Sequence, residues 1–168
     1  SGGGGEWQVF SPNELLRTAR EAMAESLAQA QIHLRIEVLD DELSLRGNRT
    51  LLLSALQNLV SNAVEATEAG GRVTLSARAV KGGEAVEIEV ADRGAGLPED
   101  MGERIFEPFV TTRSGGTGLG LAVVRAVART HRGEVWARPR EGGGTCVTLR
   151  LPTYAVPTEA SPMRLAQA

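Results

Sequence analysis

Two runs of alternating apolar and polar residues, RVTLSARAV at 72–80 and EAVEIEVAD at 84–92, meet across the short KGGE connection. Period-two alternation marks a half-buried strand, and a link this short and glycine-containing joins antiparallel neighbours. The centre of the chain is therefore committed to a hairpin that must bury one face. A second hairpin follows, where GEVWARP and GTCVTLRLP flank REGGG. A further alternating run, IHLRIEV, sets Ile32, Leu34, Ile36 and Val38 against His33, Arg35 and Glu37.

The segments between these strands have helical spacing. In SPNELLRTAREAMAESLAQAQ, Ser11 suits an N-cap, Pro12 the first helical position and Glu14 the far end of a capping box. Leu15, Ala19, Met23 and Leu27 then recur every fourth residue. A second helix is expected from about Arg49 to Ala69, stopped by Gly70 and Gly71. A short helix fits PEDMGERIF, and GLGLAVVRAVARTH resumes helical spacing. Helices and antiparallel hairpins without regular βαβ alternation argue for an α/β sandwich, one sheet layer against one helix layer. Residues 93–117 form a long glycine-containing connection, and loops of that length in a compact domain are usually functional.

Composition narrows the function classes. The chain has 168 residues, of which 42% are hydrophobic and 23% charged, enough for one globular domain without staples. Only 4% are aromatic, so the core falls to Leu, Val, Ile and Ala. A net charge of −3 offers no electrostatic reason to expect nucleic acid. No apolar run approaches the ~20 residues of a membrane span. The lone Cys146 cannot form an internal disulfide, which fits a reducing, cytoplasmic setting, and it reads as an ordinary strand residue. Residues 1–6, opening SGGGG, are expected to be an artificial leader. Residues 7–152 are expected to form the domain, and 153–168 a flexible tail.

Two features carry chemistry. On the second helix, Asn58, Ser61, Asn62 and Glu65 share one arc at about 100° per residue, opposite Leu52, Leu56, Leu59, Val60 and Ala63. Such an arc is either a solvated polar face or an amide surface able to meet Mg²⁺ and phosphate, since neutral amide oxygens are hard ligands. In SGGTGLGLAVV, Gly115, Gly116, Gly118 and Gly120 crowd a helix start. There free N–H groups and the positive dipole end favour anions, although a flexible hinge is the plainer reading. Asp92, followed by Gly94 and Gly96, ends a strand. Neither the Walker nor the dinucleotide-binding glycine pattern fits.

In this order the segments resemble the ATP-binding catalytic domain of sensor histidine kinases, in the GHKL ATPase superfamily. NLVSNAVEA is similar to its N box, DRGAGLP to its first glycine box, IFEPFVTT to its F box and GTGLGLAVV to its second glycine box. The resemblance is strong over residues 51–152. It implies a Bergerat fold, a mixed, mostly antiparallel sheet packed on three helices, with ATP and Mg²⁺ as ligands. It places the metal on Asn62, the phosphates and metal beside Asn58, and the adenine amino group on Asp92. Gly94 and Gly96 would pass close to base and ribose, with Thr145 supporting the carboxylate. Gly116, Gly118 and Gly120, with Leu119 among them, would offer N–H groups to the phosphates. The stretch between the glycine boxes would be the ATP lid, anchored by Phe106 and Phe109. Thr111, Thr112 and Arg113 lie in it, Arg113 holding phosphate where a subgroup has Lys.

Departures sharpen the reading. Glu65 and Ala66 stand where many members carry a basic residue and an aromatic. Asn58 occupies the position that chaperone and topoisomerase members fill with a water-activating Glu, and an amide cannot serve as general base. The resemblance therefore implies a site that holds Mg–ATP for transfer rather than hydrolysis, with Asn58, Asn62 and Arg113 assisting. The acceptor would be a His on a separate dimerisation and phosphotransfer domain, and a response regulator would receive the phosphate next. His33 and His131 read as structural. This domain alone is expected to be monomeric, with no nucleic-acid or membrane contact. A degenerate nucleotide-sensing module and a serine kinase of anti-sigma type are the competing functions.

Overall fold

The computed structural model describes residues 6–39, 42–96, 102–109 and 120–155. Its elements run β1 (Gln8–Phe10), α1 (Pro12–Ala22), α2 (Ala24–Ala30), β2 (His33–Glu37), β3 (Leu45–Gly47) and α3 (Arg49–Glu65). They continue with β4 (Arg72–Val80), β5 (Ala85–Ala91), α4 (Gly120–Thr130), β6 (Glu134–Pro139) and β7 (Thr145–Pro152). Both expected hairpins form. β4 pairs antiparallel with β5, and β6 with β7. The main sheet has the order β2-β4-β5-β7-β6, and only the β2–β4 pair is parallel. Mixed and mostly antiparallel is therefore the observed architecture.

Alternation decides which side of the sheet is dry. In β5, Val86, Ile88 and Val90 are almost wholly buried under the helices, while Glu87 and Glu89 face the other way. In α3, Leu52, Ala55, Leu56, Leu59, Val60 and Ala63 recur at helical spacing, and all are buried. Each fully buried Leu contributes about 1.5–3 kcal/mol through area removed from water. Asn48 starts α3 by accepting the Leu51 N–H on its side-chain oxygen at 3.0 Å.

The structure differs from the sequence expectations in several places. Among the described residues four helices cover the sheet rather than three, because the first helical run breaks at Met23. There one N–H is shared by the Ala19 and Arg20 carbonyls, and no glycine or proline in the local sequence signals it. Ser11 caps α1 as expected, at 3.1 Å from the Asn13 N–H. Glu14, however, closes no capping box, since its carboxylate meets Arg49 at 3.0 Å, on α3. α3 ends at Glu65, four residues early. The expected PEDMGERIF helix appears as a 3₁₀ turn over Gly102–Phe106, with residues 97–101 outside the described set. The chain stays tethered past residue 152. The Thr153 N–H donates to the Glu84 carbonyl and the Tyr154 N–H to the Ser44 carbonyl.

A small antiparallel sheet, β1 with β3, was not foreseen. It is fastened by His131, which is buried and structural as expected. Its Nε2 accepts the Asn48 N–H at 3.0 Å, its Nδ1 lies 2.8 Å from the Val127 carbonyl, and its ring stacks on Trp7 at 4.9 Å. His33 is exposed on β2, and Cys146 is a buried free thiol in β7. Among the described residues, no helix is long and apolar enough to cross a membrane.

Candidate functional site

The site begins with a carboxylate at the end of a strand. Asp92 follows β5 and is only 7% exposed. Its Oδ1 accepts two backbone N–H groups, from Gly94 at 2.8 Å and from Thr145 at 3.3 Å. Its own N–H donates to the Thr145 carbonyl at 2.9 Å, continuing the β5–β7 ladder. Burial pushes the Asp92 carboxyl up from the ordinary range, against the two N–H bonds and the charge of Arg140. Both hydrogen bonds fall on one oxygen. The side chain is thereby locked in place and Oδ2 is left as a fixed acceptor for a donor outside the protein.

Two glycines make this arrangement possible. A Cβ at Gly94 would run into the Ala66 carbonyl at the end of α3. The turn after Asp92 can therefore pack directly on the helix that carries the asparagines. Gly144, with φ +100°, would drive a Cβ into the Asp92 carbonyl, so only glycine lets β7 approach there. Gly144 was missed from sequence because GGG in a hairpin reads simply as a turn; its real constraint is a contact far along the chain. Thr145 touches Asp92 through its backbone N–H.

The asparagine face lies one helix over. Asn58 and Asn62 are half-buried on α3, whereas Ser61 and Glu65 are exposed. Gly120 opens α4, and a Cβ there would sit 3.8 Å from the Asn58 side chain. The start of the 11-residue α4 is thus beside the N-terminal asparagine, and its positive dipole end faces the same region. One side of the site is then a carboxylate acceptor, and the other an amide pair with a helix N-terminus. That combination suits a ligand with N–H donors at one end and negative charge at the other.

The expected anchors behave differently from each other. Phe106 is buried at the end of the 3₁₀ turn, and Arg125 on α4 reaches Glu103 of that turn at 3.8 Å. Phe109 is no anchor. It is 77% exposed, on a backbone with φ +68°. Gly96 is described, with φ +82°, and no side chain is near enough to exclude a Cβ. Thr111, Thr112, Arg113, Gly116, Gly118 and Leu119 lie outside the described residues, as does most of the expected lid.

Comparison with known proteins bears on this geometry. Residues 47–155 match the family model described as "Histidine kinase-, DNA gyrase B-, and HSP90-like ATPase". The chain is 38% identical over 159 residues to histidine protein kinase DivJ of Caulobacter vibrioides, covering 91% of this chain and 26% of DivJ. The chain thus spans about a quarter of that relative's length. The catalytic domain of histidine kinase ThkA, in a nucleotide-free form, superposes with a TM-score of 0.78 at 33% identity, covering 88% of this chain and 96% of that one. Full-length ShkA in complex with AMPPNP matches at 0.78 and 32%, covering 96% and 35%. ThkA in complex with the response regulator TrrA matches at 0.75 and 30%, covering 87% and 41%.

Proposed function

This chain belongs to the family of histidine kinase-, DNA gyrase B- and HSP90-like ATPases, as the ATP-binding catalytic domain of a histidine kinase, and we propose that it holds Mg–ATP for transfer to a histidine on another domain. The observation that carries this reading is the double N–H clamp on Asp92 Oδ1. It leaves Oδ2 to accept the adenine amino group. Thr145 and Gly94 orient the carboxylate, and Gly96 lets the backbone follow base and ribose. Asn58 and the start of α4 at Gly120 meet the phosphate end.

The residues also fit the metal. Among the described residues, no cluster of three or more His, Cys, Asp or Glu stands ready to hold one. Mg²⁺ keeps most of its shell as water and phosphate oxygen, so a single amide ligand, Asn62, suits a metal that arrives with its nucleotide. Arg113, Thr111, Thr112, Gly116, Gly118 and Leu119 are assigned to the phosphate side on resemblance. ATP supplies the phosphoryl group, and this chain contributes position and charge rather than a base. Asn58 cannot take a proton from water, so hydrolysis without an acceptor is expected to be slow.

The acceptor is assigned to a dimerisation and phosphotransfer domain of the parent protein, with a response regulator downstream. ThkA's structure with TrrA supports a regulator as the next recipient. The setting is assigned as cytoplasmic. The test is to combine this chain with its parent protein's histidine-bearing helical domain and γ-labelled ATP. Acid-labile, base-stable label on the histidine is the expected result. Acid-stable phosphate on a serine of a partner would replace this reading with the anti-sigma type.

A further inference from the structure

The five-stranded sheet turns one face to the helices, the described residues leave the other uncovered, and that second face is uneven. Towards one end, cross-strand neighbours build an ion-pair ladder. Glu87 receives Arg78 at 2.8 Å and Arg150 at 3.0 Å, and Arg150 also reaches Glu134 at 3.4 Å while lying over the Trp136 ring. Towards the other end the pattern changes. The register aligns Arg35, Thr74, Ala91, Cys146 and Arg138 in one row across all five strands. The three central positions are small, and an arginine stands at each end. The result is a hollow of about 380 Å³ with a floor of short side chains.

Its rim is basic. Arg72, Arg93 and Arg140 join Arg35 and Arg138 around the hollow, against Glu37, Glu89 and Glu141. Five arginines facing three glutamates leave a local positive excess on a chain whose net charge is −3. Arg35 and Arg138 have carboxylate partners, at 3.4 Å and 2.9 Å. Among the described residues, Arg72, Arg93 and Arg140 form no ion pair.

We propose that this hollow is a docking groove for an extended acidic peptide segment. Five strands set about 4.8 Å apart place the end arginines of the row roughly 19 Å from each other. An extended chain rising about 3.3 Å per residue covers that distance in about six residues. The small floor admits its backbone, and guanidinium forks match carboxylates in a bidentate manner. A nucleic acid fits less well. Its phosphates are regularly spaced and uniformly negative, and they would meet Glu37, Glu89 and Glu141 on an acidic protein. Ala91 and Arg93 flank Asp92 in sequence but line the hollow on the opposite face, so the peptide and the ligand of Asp92 meet the sheet from opposite sides, with Arg140 the rim residue whose charge reaches Asp92.

The test is an amide chemical-shift titration of the ¹⁵N-labelled chain with an acetylated six-residue peptide carrying Glu at alternate positions. Saturable shifts at Thr74, Ala91 and Cys146 are expected, with a peptide dissociation constant unchanged when an ATP analogue already saturates the chain. Arg72→Glu combined with Arg138→Gln should weaken binding at least tenfold. Thr74→Tyr, which fills the floor and leaves the charge unchanged, should do the same. Unchanged melting temperature and nucleotide affinity in these variants establish that they are folded. Absence of saturable shifts, binding undiminished in Thr74→Tyr, or equal affinity for a six-nucleotide oligothymidine or for phosphatidylserine vesicles would each overturn the proposal.

Discussion

Asp92 and Glu87 are both carboxylates with under a tenth of their surface exposed, at the end and in the middle of the same stretch of chain, and they are held in opposite ways. Glu87 sits on the uncovered face between Arg78 and Arg150. Burial raises its carboxyl, but hydrogen bonds from the two arginines and their charges outweigh this and hold it below the ordinary range. Asp92 sits on the helix side, where burial outweighs two backbone N–H bonds and the charge of Arg140 and holds its carboxyl above the ordinary range. Glu87 is a carboxylate the fold has neutralised. Asp92 is one the fold has fixed in place and left incompletely compensated. A buried carboxylate that the fold leaves incompletely compensated marks a candidate binding site, and a compensated one marks architecture.

The comparison is broken most directly by removing Asp92. Asp92→Ala should lower nucleotide affinity by about 100-fold or more, equivalent to about 3 kcal/mol, because a buried donor on the ligand loses its acceptor. Calorimetry measures this, and wild-type affinity in the variant would contradict the assignment. Gly144→Ala tests the clamp rather than the carboxylate. A Cβ at φ +100°, pressed on the Asp92 carbonyl, should cost about 2–3 kcal/mol of stability and weaken nucleotide binding with it. Denaturant unfolding and the same titration read both effects. Glu87→Gln should cost about 1–2 kcal/mol of stability while leaving nucleotide affinity within about twofold, since two arginines lose a charged partner on the far face.

The smallest effects concern pH, and the two carboxylates differ in sign. Glu87 binds its proton less tightly folded than unfolded, so its stabilising contribution is present above the ordinary carboxylate pKa and is lost as pH falls through its lowered value. Asp92 binds its proton more tightly when folded. Its contribution is present below the ordinary value and is lost as pH rises through its raised value, so the charged form opposes folding at neutral pH. Asp92→Asn should therefore match or slightly exceed wild-type melting temperature at pH 7 while losing nucleotide. In the wild type, nucleotide affinity should begin to fall on acidification at a higher pH than an ordinary carboxylate would produce. A melting temperature several degrees lower in Asp92→Asn would show that the side chain is structural after all.

Much of this was legible in the sequence because it is local. The two hairpins, the apolar stripe of α3 and the asparagine arc opposite it are periodicities within single segments. The Ser11 cap is equally local. Asp92 stands out in sequence only as an acid at a strand end followed by Gly94 and Gly96, and the role expected of it came from four motifs in register. The features not foreseen depend on parts of the chain far apart in sequence. The parallel β2–β4 pairing spans the whole of α3. The β1–β3 ribbon is fastened by His131, and the clamp on Asp92 needs Thr145 and Gly144 to arrive from β7. Glu14 had a local partner available and took a distant one, Arg49, because tertiary packing brought α3 alongside. Phe109 shows the reverse error. A motif position implied an anchor against the core, and the ring is exposed.

The measurement that tests the account most directly is a calorimetric titration of this chain with a non-hydrolysable ATP analogue, with and without Mg²⁺, alongside Asn62→Ala. One-site binding strengthened by Mg²⁺ is expected in the wild type, with loss of that metal-dependent gain in the variant. Binding to Asn62→Ala as tight and as Mg²⁺-dependent as in the wild type would contradict it.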